Sequence, residues 1–171
     1  MCTTTRYWVT GNIDEQALRS FLDFVQNQIH DDCQQLDLLL QSEGGSVSIA
    51  LAFAHLLARL PCRVHTYNIS NVDSAAIVLF AMGQVRSCAC HASFFLHPIG
   101  KKVSDVKTVP ELRAIISEIE HDTLRVTQLL ERQTGTSASE WRSLMERNAI
   151  IGVVEAQSYH LVTAIDACGA H

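Results

Sequence analysis

The chain has 171 residues, 47% hydrophobic and 18% charged, with a formal net charge of −5. That length and apolar content exclude disorder and predict a single domain over residues 1–171, with a large core or a buried subunit interface. The acidic balance and the lack of any Lys/Arg cluster exclude a phosphate-binding footprint. No apolar run is long enough to cross a bilayer, and the N-terminus lacks a signal-peptide pattern. The expectation is therefore a cytoplasmic protein with neither nucleic acid nor membrane as a partner.

Arg6–Thr10 (RYWVT) reads as a strand ended by Gly11-Asn12. Asp14–Ile29 reads as a helix, with Leu18, Phe21, Leu22, Val25 and Ile29 on one stripe and acidic residues at its start. Leu36–Gln41 is mostly apolar, as expected for a parallel strand covered on both faces, and Ser42-Glu-Gly-Gly45 breaks it. Ser46–Arg59 reads as a helix stopping before Pro61. The pattern then repeats. Arg63–Ile69 is a strand, Ser70–Asp73 a turn and Ser74–Met82 an apolar helix. Val85–Ala89 and Ser93–Leu96 follow as two short strands around a turn. Alternating strands and helices predict an α/β chain.

Thr108-Val-Pro-Glu111 is a capping box with proline early in the helix. The helix it opens runs to about Thr134, where Gly135 stops it, and is about 39 Å long at 1.5 Å per residue. Leu112, Ile115, Ile119, Val126 and Leu129 form a seam along it, suited to another helix. The length favours an arm that reaches a neighbouring subunit. Ser137-Ala-Ser-Glu140 caps one more short helix.

The six cysteines (2, 33, 62, 88, 90 and 168) do not have the spacing of a disulfide-stapled domain. Cys88-Ala-Cys90-His91 lacks a second pair of ligands for a metal and reads as small buried thiols beside a strand. No metal and no organic cofactor are expected.

Three places can carry chemistry. Gly44-Gly45 follows a buried strand, where glycine lets another backbone come close and can aim N–H groups at an oxyanion; an ordinary turn is the plainer reading. Ser74 opens an apolar helix, as a nucleophile or as a common helix cap. His97 ends the strand SFFLH just before Pro98, as a general base or as a surface residue.

Together these residues resemble the proteolytic subunit of the Clp protease, ClpP, and its bacterial ClpP-like relatives. The resemblance rests on Ser42-Glu-Gly-Gly-Ser-Val47, on Asn71-Val-Asp-Ser74 with the alanines after it, and on Phe95-Leu-His97-Pro. It extends through Gln133-Thr-Gly-Thr136, Glu146-Arg-Asn148, Glu155-Ala and Leu161-Val, and so spans about Arg6 to Ile165.

The resemblance implies the ClpP/crotonase fold of stacked ββα units, with a protruding handle over about 99–135. It implies a serine endopeptidase in which Ser74 is the nucleophile, His97 the general base and Asn148 the third triad member, with the N–H groups of Gly45 and Ala75 as the oxyanion hole. It also implies a homo-oligomer of seven-membered, stacked rings that cleaves peptides or unfolded proteins, fed by a Clp-type ATPase.

The chain departs from the family at three points. Asn148 stands where most members have aspartate, and Glu43 stands for the family's proline. Only five residues precede Arg6, where the family has a segment that contacts the ATPase, and this weighs against that partner. A catalytically silent scaffold subunit and a crotonase-type acyl-CoA enzyme are the alternatives. A non-enzymatic adaptor has no residue in its favour.

Overall fold

The computed structural model describes residues 3–30, 33–103, 105 and 107–165. Its elements run β1 (Thr3–Ile13), α1 (Glu15–Gln28), β2 (Cys33–Gly45), α2 (Val47–Leu57), β3 (Arg63–Val72), α3 (Ala76–Phe80) and β4 (Val85–Cys88). They continue as β5 (Ser93–Phe95), α4 (Val109–Thr134), α5 (Ala138–Glu146), β6 (Ile150–Gly152), α6 (Val153–Ser158) and β7 (Ala164–Ile165). The main sheet is parallel, in the order β1-β2-β3-β4-β7. A second layer branches from the end of β3, where Asn71 pairs with Ser93 of β5 and β5 pairs antiparallel with β6.

Local chemistry explains where the elements stop. Asp14 caps α1 by accepting the Ala17 N–H at 2.9 Å. Gly44 and Gly45 do not end β2 as the sequence suggests. A register shift after Thr10 carries the pairing with β1 on to Ile13 and Gly45. β3 likewise extends to Val72, which pairs with Ser42. The apolar helix is shorter than expected because Ser74 has a left-handed backbone, with φ of 53°, and regular turns begin only at Ala76. β4 and β5 do not pair with each other: β4 continues the main sheet while β5 enters the second layer.

The core lies between the sheet and its helices. Phe21 of α1 stacks on Phe53 of α2 with ring centroids 4.3 Å apart and meets Tyr7 of β1 edge-on at 5.2 Å. Each fully buried Phe contributes about 1.5–3 kcal/mol of apolar transfer. β2 alternates rather than being covered on both faces. Leu36, Leu38 and Leu40 are buried, while Asp37, Leu39 and Gln41 are half-open on the other face.

The cysteine reading needs a correction. Cys88 is buried in β4, but Cys90 is half-buried and disulfide-bonded. Burial and the neighbouring Cys33 push the Cys62 thiol up to about 11, so it stays protonated at neutral pH.

α4 has the expected bounds. The N–H and hydroxyl of Thr108 both donate to Glu111 Oε2, at 2.7 and 2.8 Å, and Gly135 closes the helix with φ of 78°. The predicted seam divides, however. Val126 is buried and Leu129 half-buried against the chain's own core. Towards the N-terminal end Leu112 and Ile116 are 42% and 55% exposed. The half-exposed Ile115 and Ile119 also lie on this outer half.

Arg86 fastens the end of the chain to the sheet. Its buried guanidinium donates to Leu161 O at 2.8 Å, Gly83 O at 2.9 Å and His160 O at 2.8 Å. Burial lowers its pKa, and three carbonyl acceptors hold the charged form. Arg86→Leu strands those carbonyls and is expected to cost about 3 kcal/mol, a fall in melting temperature of roughly 6–12 °C by circular dichroism. A melting temperature within 2 °C of wild type, on the order of 1 kcal/mol or less, contradicts this role.

Candidate active site

The site is assembled where β2 and β3 leave the sheet. Ser42 is fully buried. Its hydroxyl donates to Gly11 O at 2.5 Å and accepts the Gly44 N–H at 3.1 Å, and its carbonyl accepts the Asp73 N–H at 2.9 Å. These bonds knit the glycine segment to β1 on one side and to the turn after β3 on the other.

Both glycines are required by contact. A Cβ on Gly44, which has φ of 97°, would lie 2.7 Å from Ser74 Cβ and 2.8 Å from Asp73 O. On Gly45 it would lie 2.5 Å from Ile13 O. Real Cβ atoms do not come that close to backbone, so each residue lacks a side chain because another segment fills the space. Ser46 then caps α2 through the Ile49 N–H.

Ser74 does not cap a helix. Ala75 is the N-cap residue of α3 and makes no side-chain capping bond. Ser74 instead forms a tight left-handed turn. Its N–H donates to Phe95 O at 2.8 Å, while Ala76 N–H donates to Asp73 O at 3.0 Å. A non-glycine residue in this region costs of order 1–3 kcal/mol and persists only when its surroundings hold it.

His97 lies two residues beyond Phe95. Ser74, Ala75 and His97 share one pocket, whose other walls are Val47, Ile77, Leu96, Ile99, Val126, Leu130 and Met145. His97 is the sole titratable side chain among these lining residues. His97 Nδ1 lies 2.8 Å from Pro98 O. A carbonyl only accepts, so Nδ1 carries the proton in this arrangement and Nε2 presents its lone pair.

Asn148 follows α5, with φ of 52° and an exposed side chain. Phe95 pairs with Ile150, and Leu96 N–H donates to Ala149 O at 2.8 Å. The ladder ends there: Asn148 is left-handed with an exposed side chain, does not line the pocket, and is not the partner of His97 Nδ1, which is Pro98 O. Glu43 is exposed and does not line the pocket.

The sequence reading missed Ser42 and the carbonyl of Pro98. It also missed a second Ser/His/Asp set, carried across β2, β3 and β4. Ser87 Oγ lies 2.7 Å from His65 Nε2, and His65 Nδ1 lies 3.5 Å from Asp37 Oδ1. Asp37 also accepts Gln35 Nε2 at 2.7 Å and Arg6 Nε at 3.4 Å. Alternation along β3 was the available signal for His65, but bringing it together with Asp37 and Ser87 requires knowing the strand register.

The family profile described as Clp protease matches residues 5–167. The chain is 27% identical over 137 residues to the ATP-dependent Clp protease proteolytic subunit 1 of Corynebacterium diphtheriae, covering 79% of this chain and 65% of that protein. It is 27% identical over 134 residues to the ATP-dependent Clp protease proteolytic subunit 4 of Rhodococcus jostii, covering 77% of this chain and 68% of that one. The chain thus spans about two thirds of the length of these curated relatives. Its fold matches that of an asparagine-to-aspartate mutant of ClpP1 from Listeria monocytogenes with a TM-score of 0.82 at 18% identity, covering 94% of this chain and 90% of the other. With 163 consecutive residues inside the family profile and the α/β fold shared, the chain belongs to the Clp protease family.

Proposed function

We propose that the chain is a serine endopeptidase of the ClpP type, acting on peptides or unfolded polypeptide. The observation that carries this reading is the left-handed Ser74 turn, buttressed by Gly44 and sharing an apolar pocket with His97. Ser74 Oγ attacks the substrate carbonyl carbon while His97 Nε2 takes its proton. The N–H groups of Gly45 and Ala75 receive the oxyanion. Ser74 N–H is already committed to Phe95 and Ala76 N–H to Asp73, which leaves the N–H between them for that task. His97 then returns the proton to the leaving amine, and water releases the acyl group by the same steps reversed. The apolar walls suit a hydrophobic side chain next to the scissile bond.

Asn148, which directly precedes the Ala149 whose carbonyl accepts the Leu96 N–H, is the third member of the triad on this reading. Its amide oxygen can accept the Nδ1 proton but brings no charge to stabilise the imidazolium. The Pro98 carbonyl holds the same proton in the resting state. Two acceptors for one proton make the role of Asn148 graded.

Ser74→Ala is expected to abolish fluorophosphonate labelling and peptide cleavage while leaving circular dichroism unchanged. Labelling that survives in this variant would show that another serine is the nucleophile, and Ser87 beside His65 is the first to test. Asn148→Asp should raise turnover of a small peptide. Asn148→Ala should lower it by about tenfold, not the roughly 10⁴-fold seen when a triad loses its tautomer, because Pro98 still fixes the ring. Turnover equal to wild type in Asn148→Ala removes Asn148 from the triad. Wild-type protein that is neither labelled nor active supports the silent-scaffold alternative.

The outer half of α4 is proposed to meet the same helix of another copy, in stacked rings. Leu112 and Ile116 are large, exposed and one turn apart, and burying each contributes about 1.5–3 kcal/mol. Leu112→Glu with Ile116→Glu should lower the mass measured by light scattering without lowering helix content. A wild-type chain that is monomeric at micromolar concentration contradicts this assembly.

A further inference from the structure

We infer that Asp73 is a positioning residue that sets the spacing between Ser74 and the strand carrying His97. This rests on the peptidase reading above. Both backbone groups of Phe95 are held by two consecutive residues. Asp73 Oδ1 accepts the Phe95 N–H at 2.9 Å, and Ser74 N–H donates to Phe95 O at 2.8 Å.

β3 and β5 pair through Asn71 and Ser93, and the next rung along β5 falls at Phe95. By then the chain has turned away at Ser74, so no backbone carbonyl of β3 is there to accept. The Asp73 carboxylate replaces it and extends the ladder by one rung. His97 is two residues further along the same segment, so the rung fixes how far the imidazole stands from Ser74.

The carboxylate is itself braced. Asn71 Nδ2 donates to Asp73 Oδ2 at 2.9 Å, and Gln41 Nε2 donates to Asn71 Oδ1 at 3.4 Å. A chain of side chains thus runs from β2 through β3 and the turn to β5. With both oxygens engaged, Asp73 is turned to Phe95 and Asn71, so it acts through the backbone of Phe95 and not on the imidazole. An asparagine at 73 can keep the Phe95 rung through its one oxygen, and reversing the amides of Asn71 and Gln41 restores the brace. An alanine loses both.

The test compares Asp73→Ala and Asp73→Asn with wild type, using a small peptide substrate and fluorophosphonate labelling. Asp73→Ala should lower kcat and the labelling rate by about 10–100-fold, the scale of an ångström misplacement, with KM within about twofold. Asp73→Asn should restore most of the rate. Wild-type kcat in Asp73→Ala, a loss confined to KM, or an asparagine variant no better than alanine would each overturn the proposal.

Amide hydrogen exchange provides a readout that does not depend on activity. The Phe95 N–H should lose protection in Asp73→Ala and keep it in Asp73→Asn. If Asp73→Ala does not fold, Asn71→Ala removes the brace alone and should lower kcat in the same direction but less; an unchanged kcat there overturns the proposal. Absence of labelling in wild-type protein counts against the peptidase reading. Unchanged Phe95 protection in Asp73→Ala counts against the clamp itself.

Discussion

The contact between Gly44 and the Ser74 turn is the constraint on which the rest of the site depends. Two backbone segments lie so close that a single methyl group would not fit between them. The approach seats Gly44 against the Ser74 turn, and Ser74 is held in a left-handed conformation that a free chain disfavours. The strain is offset locally by Ser74 N–H to Phe95 O, Asp73 N–H to Ser42 O and Phe95 N–H to the Asp73 carboxylate. Each hydrogen bond contributes about 0.5–1.5 kcal/mol, so three can hold a turn that costs of order 1–3 kcal/mol. The turn is therefore set by long-range pairing and not by the local preference of its own residues.

That distinction explains what could be read in advance. α1 and α4 were legible because their signals are local: a capping residue, a periodic apolar stripe and a stopping glycine. The ends of β2, β3 and α3 were not. A Gly-Gly pair normally ends a strand, but here Ile13 pairs with Gly45 and keeps the ladder going. Ser74 looked like the first residue of a helix, but a left-handed residue cannot lie within one. β6, α6 and β7 are short and owe their conformation to partners far along the chain, such as Phe95 for Ile150 and Ser87 for Ala164.

The candidate site was legible only in part, for the same reason. Ser74, His97 and the two glycines stand in motifs that can be recognised as strings. Ser42, Asp73 and the Pro98 carbonyl act through hydrogen bonds whose partners the sequence does not name. The seam of α4 shows the converse problem. Its spacing is regular from Leu112 to Leu129, yet one helix face cannot indicate where its neighbour changes. Val126 and Leu130 pack on the chain's own core, while Leu112 and Ile116 face outwards.

The two Ser/His pairs in this chain show what separates a site from a structural network. Ser87 Oγ lies 2.7 Å from His65 Nε2 with Asp37 3.5 Å from the other ring nitrogen, whereas His97 Nδ1 is bonded to the Pro98 carbonyl. By side-chain geometry alone they would be preferred. But Ser87 is only 3% exposed, sits in mid-sheet and does not line the pocket that Ser74 and His97 share. Its backbone is part of a ladder, so no N–H can turn towards an oxyanion, and Asp37 is divided among Gln35, Arg6 and His65. The network ties β2, β3 and β4 together and leaves no N–H beside Ser87 turned to receive an oxyanion. Ser74 has the opposite arrangement: a strained backbone, a pocket at its side and a neighbouring N–H with no assigned acceptor. The peptidase reading of Ser74 thus rests on what the surrounding structure leaves unsatisfied.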